Sequence, residues 1–374
     1  MKKLKLNKLN ILLVILGVIS LLFILCLNKP VVYASSADPA YIYFDLTAGN
    51  VTINNSTYTG YIFQTVSGTT STLTITGTHN VNNKYYVYQS SSLNKSTTGN
   101  VDGQMIIPDY EPLKVDDVLW KDYITDNTDI LDVIDKWNSQ TNGVRQSTNN
   151  RILISVSGTK CDVTIDNIWS TYQSRGTITG GSISVDKATV AGTHVTLNLK
   201  GDNRLGNLRY YSTLKNNSAT LTINSHLGNN SEEGTLTVIG NQQPTHANGN
   251  YTYIPGSSLN VCQNHWDSVI GGTDSQQDVN GLIFKGGTVY SGSTPRENST
   301  PIGGGGNGFG HVIIDGGNVT AVGYTTGTAI GGGIAHTSYG GSSDVIINGG
   351  KVYAYNFGQP AHDVISSYGT KEWK

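Results

Sequence analysis

Val312-Ile-Ile-Asp-Gly-Gly-Asn-Val-Thr-Ala321 aligns without a gap with Leu282-Ile-Phe-Lys-Gly-Gly-Thr-Val-Tyr-Ser291 and with Val345-Ile-Ile-Asn-Gly-Gly-Lys-Val-Tyr-Ala354. The copies begin 30 and 33 residues apart. A second signal runs between them in fixed order: Ile270-Gly-Gly-Thr273, Ile302-Gly-Gly-Gly305 and Ile330-Gly-Gly-Gly333, with Val364-Ile-Ser-Ser367 as a degenerate further copy without the glycines. Two interleaved signals at one period mark a repeat array in which each unit needs its neighbours to bury its apolar face.

Side chains alternate along a strand, so each unit directs one set of residues to one side. Leu282, Phe284, Val289 and Ser291 form that set in the first unit, Val312, Ile314, Val319 and Ala321 in the second, and Val345, Ile347, Val352 and Ala354 in the third. This is the predicted core face. The Gly-Gly pair between the two strands supplies the positive φ needed by either a hairpin or a corner, and the period favours a corner between successive sides of one coil. Ile283, Ile313 and Ile346 have the opposite parity. They call for a cover on the outer side, for which the Ile-Gly-Gly segment is the candidate, because glycine permits close backbone approach.

Strand texture continues upstream in Ala219-Thr-Leu-Thr-Ile-Asn224 and Gly234-Thr-Leu-Thr-Val-Ile239. Val51-Thr-Ile-Asn-Asn55 matches Val163-Thr-Ile-Asp-Asn167, and Leu73-Thr-Ile-Thr-Gly77 matches Leu197-Asn-Leu-Lys-Gly201, which suggests a longer duplication. Residues 101–151 differ, being acidic and poor in glycine. There Thr128 caps a predicted short helix whose Ile130, Leu131, Val133, Ile134 and Trp137 recur at helical spacing, suited to an end cap or a strap.

At the amino terminus, Lys2, Lys3, Lys5 and Lys8 precede an apolar run from Ile11 to Leu27, and Val32-Tyr33-Ala34 ends the stretch. That is the pattern of a secretory signal peptide cleaved before Ser35; the alternative is an uncleaved anchor. Removing 1–34 takes five lysines and no acids from 24 basic and 26 acidic residues, leaving a net charge near −7. An acidic surface is a poor partner for nucleic acid. The expected organisation is therefore a leader (1–34), a strand segment (35–100), the acidic connecting segment (101–151) and a repeat array (152–374) whose Ile-Gly-Gly repeats span 270–360. Beyond the leader only Cys161 and Cys262 remain, and they are either one disulfide of an exported chain or two buried thiols.

The Ile-Gly-Gly-Gly segment followed by a strand, Gly-Gly and another strand resembles the glycine-rich repeat region of secreted Gram-positive surface proteins. The likeness rests on Ile302-Gly-Gly-Gly305, Ile330-Gly-Gly-Gly333, the three Gly-Gly strand pairs and Asp162-Val-Thr-Ile-Asp-Asn167. It implies an all-β fold, a right-handed parallel β-solenoid, here with a short helical insert behind the signal peptide. It also implies a place outside the cell or on its surface, with carbohydrate binding or adhesion as the function.

Among residues that carry chemistry, Tyr290 and Tyr353 occupy equivalent repeat positions on the parity opposite the core, with Thr320 between them and Tyr355 two residues further along. Rings two strands apart, about 9–10 Å, suit the stacking of sugar rings on an apolar face with a polar tip. Trp266, beside Cys262 and His265, is a further candidate for a polysaccharide or glycoconjugate partner. The alternative, a polysaccharide lyase or glycoside hydrolase, needs paired carboxylates; Asp162 and Asp166 share a strand face, and Asp315 aligns with Lys285 and Asn348. Gly303 to His311 lacks the aspartate of a calcium-binding nonapeptide, and His311 reads as a turn residue. No cofactor is expected, and a structural surface spacer is the third reading.

Overall fold

The computed structural model describes residues 41–90, 114–115, 118–119, 148–170, 172, 177–239, 267–273, 278–292, 300–306, 308–323, 328–333, 343–356 and 364–365. The leader, the helix expected from Thr128, Cys262 and Trp266 lie outside them. The described chain is all-β and built mainly of parallel sheets.

The first sheet has eight parallel strands, in the order β1 (Tyr41–Asp45), β5 (Lys84–Tyr88), Lys160–Asp166, His194–Lys200, Thr220–Ser225, Val279–Phe284, Gly310–Ile314 and Ser343–Ile347. The second has six, from Trp169–Ser170 through Asp202–Leu205, Thr235–Ile239, Thr288–Gly292 and Asn318–Gly323 to Lys351–Asn356. The third runs back from Ile330–Gly331 through Ile302–Gly303, Ile270–Gly271, Leu208–Tyr210, Ile183–Val185 and Ile152–Ser155 to β2 (Val51–Asn54), β3 (Thr57–Val66) and β4 (Thr69–Thr78). From residue 152 onward the chain visits third, first and second sheet in unbroken rotation, an order compatible with a β-solenoid.

The inward rows are those the repeat predicts. Val163, Leu197, Ile223, Phe284 and Ile314 are neighbours in successive strands, and all are fully buried. Each such side chain contributes roughly 1.5–3 kcal/mol by leaving water. In the last repeat Ile347 is 37% exposed and Val345, Val352 and Ala354 are partly buried, as befits strands at the sheet ends.

The Gly-Gly doublet is a corner. Val279–Phe284 belongs to the first sheet and Thr288–Gly292 to the second, so the two strands of a unit never pair with each other. Only the second glycine takes positive φ, at Gly287, Gly317 and Gly350. A Cβ on Gly317 would lie 2.5 Å from the carbonyl oxygen of Gly287, so close stacking excludes a side chain there as firmly as φ does. Three residues make this corner in each of the three units, whereas the other connections in the same stretch run from six to eleven residues.

Two sequence expectations are corrected. The Ile-Gly-Gly segment is no cover for the outer isoleucines; it forms strands of the third sheet, where Ile270, Ile302 and Ile330 pair in register and point into the core. The outer face of the first sheet is consequently graded, with Ile313 at 8% and Ile346 at 36% exposure. The degenerate copy does join the same row, since Ile365 bridges to Ile330. The longer duplication does not superpose either. Val51–Asn54 is a third-sheet strand whereas Lys160–Asp166 belongs to the first, and Leu73 stands 38% exposed on a hairpin whereas Leu197 is core. Alternating strands share a texture whichever sheet they enter, and texture alone does not fix place.

The described part of 35–100 shares these sheets. β1 and β5 extend the first sheet, β2 extends the third, and the antiparallel β3–β4 hairpin folds across the end. Phe44 and Tyr85 stack with centroids 6.2 Å apart, and Tyr58 meets both edge-on. Gly60 lies against the Phe44 ring, where a Cβ would come within 2.2 Å of a ring carbon. His79 closes the cluster, its Nδ1 lying 2.6 Å from the Tyr85 hydroxyl. Burial lowers the His79 pKa, against a smaller contribution from the Lys160 backbone. A depressed histidine pKa means that the fold holds the neutral imidazole, so its stability is complete above the unfolded value of about 6.5 and is lost as pH falls through it. Thermal melts between pH 7.5 and 5 should therefore show a smaller acid-side loss in His79→Gln than in the wild type.

Candidate functional site

Tyr290, Thr320 and Tyr353 are partners in adjacent strands of the second sheet, and Tyr355 pairs with Val322, in the register the repeat predicts. The row does not form a continuous open platform. Tyr353 is 43% exposed and Tyr290 half-buried, but Thr320 between them is only 5% exposed. Towards the amino terminus the row continues through Thr237 and Arg204 to Trp169, all buried, with the Arg204 guanidinium 5.6 Å from the Trp169 ring centroid and held by Asp202 at 2.6 Å.

A contiguous aromatic cluster lies on the outer face of the first sheet. Tyr41 and Tyr43 alternate with inward Ile42 and Phe44 on β1, and Tyr86 does so between Tyr85 and Val87 on β5, so the pleat brings three rings together. Their centroids are 5.1 Å apart for Tyr43–Tyr86, 5.8 Å for Tyr41–Tyr86 and 6.2 Å for Tyr41–Tyr43. Tyr43 is 37% exposed and the other two are partly so.

Polar groups surround the rings. Lys84 Nζ sits 5.8 Å from the Tyr41 centroid and Lys200 Nζ 5.2 Å from that of Tyr86, both within cation–π range. The Tyr86 hydroxyl donates to the Asp166 carboxylate and accepts from Lys200 Nζ at 2.7 Å; Lys200 is 3.4 Å from the same carboxylate. Burial, reinforced by the bond to Asp166 and opposed by Lys200, pushes the Tyr86 pKa up to about 12, so the phenol remains a neutral donor at ordinary pH. The bond to Tyr86 in turn raises the Lys200 pKa, keeping it cationic. Asn198 donates to Asp162, which is aligned with Lys84 on the neighbouring strand. Sequence reasoning missed Tyr41, Tyr43 and Tyr86 because they lie outside the glycine repeat; the available signal was the Tyr-Ile-Tyr and Tyr-Val-Tyr alternation.

The carboxylates proposed for catalysis are placed differently from what that chemistry needs. Asp162 and Asp166 share an outer face, but four residues along a strand separate them by roughly 13 Å. Glycosidase pairs lie about 5–9.5 Å apart. Asp315 accepts a hydrogen bond from Asn348 at 2.8 Å. His311 is no turn residue; it lies in the strand Gly310–Ile314, with Nδ1 2.9 Å from Asp344 on the adjacent strand. Cys161 is a free thiol buried in the core, and burial pushes its pKa up, which disfavours the reactive thiolate.

Among the described residues no group of three or more His, Cys, Asp or Glu side chains is arranged to hold a metal ion, and no helix is long and apolar enough to cross a membrane. Comparison with family models, with curated proteins and with solved structures finds no match to this chain.

Proposed function

We propose that this chain is a secreted, non-catalytic, right-handed parallel β-solenoid of the bacterial surface that binds polysaccharide or glycoconjugate through the face of Tyr41, Tyr43 and Tyr86. The observation that carries the reading is the three-ring cluster rimmed by Lys84, Lys200, Asp162 and Asn198. Aromatic faces accept the C–H faces of sugar rings, while charged and amide groups at the rim exchange hydrogen bonds with hydroxyls. The glycine repeat supports the handedness and the extracellular place through its resemblance to Gram-positive surface proteins, and the basic, then apolar, leader supports export. Tyr290, Tyr353 and Tyr355 are a secondary contact on the neighbouring sheet.

Binding to a panel of immobilised polysaccharides tests this. Tyr41→Ala/Tyr43→Ala should weaken binding about tenfold or more, since each ring contributes on the order of 1 kcal/mol beyond its buried area. Tyr290→Ala/Tyr353→Ala should have the smaller effect. The reverse order transfers the site to the second sheet, and a wild-type chain that binds no glycan leaves the surface-spacer reading.

A further inference from the structure

We infer that β4 is a homophilic docking edge through which two copies of this chain pair antiparallel about a two-fold axis at Thr74. Among the described residues β4 is the last strand of the third sheet and is paired on one side only, by β3, without register shift from Thr57↔Thr78 to Val66↔Thr69. The edge is open for about nine residues, roughly 30 Å, up to Thr78, whose carbonyl accepts from the Asn83 amide at 3.0 Å. Every side chain from Thr69 to Thr74 is exposed.

Sheet edges are ordinarily blunted by charge, proline, bulges or brevity. The other end strands of the described sheets are shorter or charged; β3 beyond Thr59 also has no strand partner on its outer side, but Gly60 is buried there and residues 61–64 are partly buried. β1 and Ser343–Ile347 have five residues each, the latter with Asp344; Lys351–Asn356 has six and begins on a lysine paired to Glu232. Thr69-Thr-Ser-Thr-Leu-Thr-Ile-Thr-Gly-Thr78 carries none of these devices. Its unpaired backbone groups form a template for another strand.

The side chains select a second copy as that strand. With Thr74 facing Thr74 across the axis, Leu73 meets Ile75 of the second copy, and Ile75 its Leu73, on the face that already exposes Leu73 and Val66. On the opposite face Thr72 meets Thr76, and Thr70 meets Thr78, so every even position pairs threonine with threonine. Thr–Thr and apolar cross-strand pairs both stabilise antiparallel sheets. A slip by one residue sets the apolar face of one copy beside the threonine face of the other. A strand lacking charge offers a charged foreign peptide only backbone contacts, whereas its own sequence complements it twice over. The interface is isologous and closes as a dimer.

Light scattering of the purified full chain should give a concentration-dependent dimer. Thr72→Lys/Thr74→Lys should shift the dimer midpoint at least tenfold towards monomer while far-UV circular dichroism and the melting temperature stay unchanged, showing that the fold is intact. In a Cys262→Ser background, Thr74→Cys should form an intermolecular disulfide under mild oxidation, and Thr59→Cys, on the stretch of β3 flanked by both β2 and β4, should not. A wild-type chain monomeric at high micromolar concentration overturns the proposal. So does a dimer that survives the lysine pair, or one that Thr74→Cys fails to crosslink; extended peptides captured by a monomeric chain overturn the homophilic assignment.

Discussion

Asp267→Asn is expected to destabilise the protein by about 3–5 kcal/mol, the cost of leaving a buried charge without its counter-ion. Arg209 and Asp267 are each only 1% exposed, and Nη2 of the one lies 2.7 Å from Oδ2 of the other. Arg209 sits on the third-sheet strand Leu208–Tyr210, and its Nη1 also donates to the Ser268 carbonyl at 2.6 Å. The guanidinium thereby fastens the segment that leads into the first Ile-Gly-Gly strand. Asparagine keeps the shape of the side chain and an acceptor oxygen, so the loss isolates the charge. Arg209→Met in the same chain should recover part of the loss, since an apolar replacement of the whole pair is often near neutral. Chemical denaturation of the two single variants and the double variant supplies the cycle. A double variant as unstable as the sum of the singles would show that the two residues act independently.

Gly303→Ala carries an expected cost of about 3 kcal/mol or more for a different reason. Gly303 has φ of 137°, in a region that side chains avoid, and a Cβ there would lie 1.9 Å from the carbonyl oxygen of Gly331. That oxygen accepts the Gly304 N–H at 2.9 Å, so backbone rather than a flexible side chain must move. Strain of this kind costs of order 1–3 kcal/mol, and the disturbed hydrogen bond adds about 1. A fall of about 1 M or more in the urea midpoint is the readout. Gly292→Ala is the control: it has ordinary φ and nothing within 4 Å of its added methyl, so its effect should stay within about 0.5 kcal/mol. Equal effects at the two positions would refute the stacking argument.

The repeat made part of this architecture legible. Alternation through Leu282, Phe284, Val312 and Ile314 named the core row, and equal spacing of Tyr290, Thr320 and Tyr353 gave their register, because both follow from strand period alone. Three things were harder to read. The Ile-Gly-Gly segment is only two residues of strand, too short for alternation to reveal a sheet of its own. The upstream corners use Asn167, Gly201 and Gly234 in left-handed conformation without a doublet, so they escaped alignment with Gly287, Gly317 and Gly350. The tyrosine cluster on β1 and β5 needed long-range pairing to assemble, and no local pattern reports that Tyr43 will meet Tyr86. Exposure followed the same divide. Parity placed Thr320 outward, yet whether an outward residue meets water depends on the layer beyond it.

The glycine corner also divides the molecule into a conservative flank and a permissive one. Where three residues turn the chain and each glycine rests on the carbonyl of the one before, an insertion has nowhere to go without prising neighbouring repeats apart. The two remaining corners already tolerate connections of six to eleven residues within the same repeats. Length and composition can diversify there without disturbing the register of any inward side chain. Within the three Gly-Gly units selection for new contacts can therefore act on those two edges while the Gly-Gly corner stays fixed; one coil earlier, where no doublet turns the chain, the same edge carries nine residues between Ser225 and Thr235.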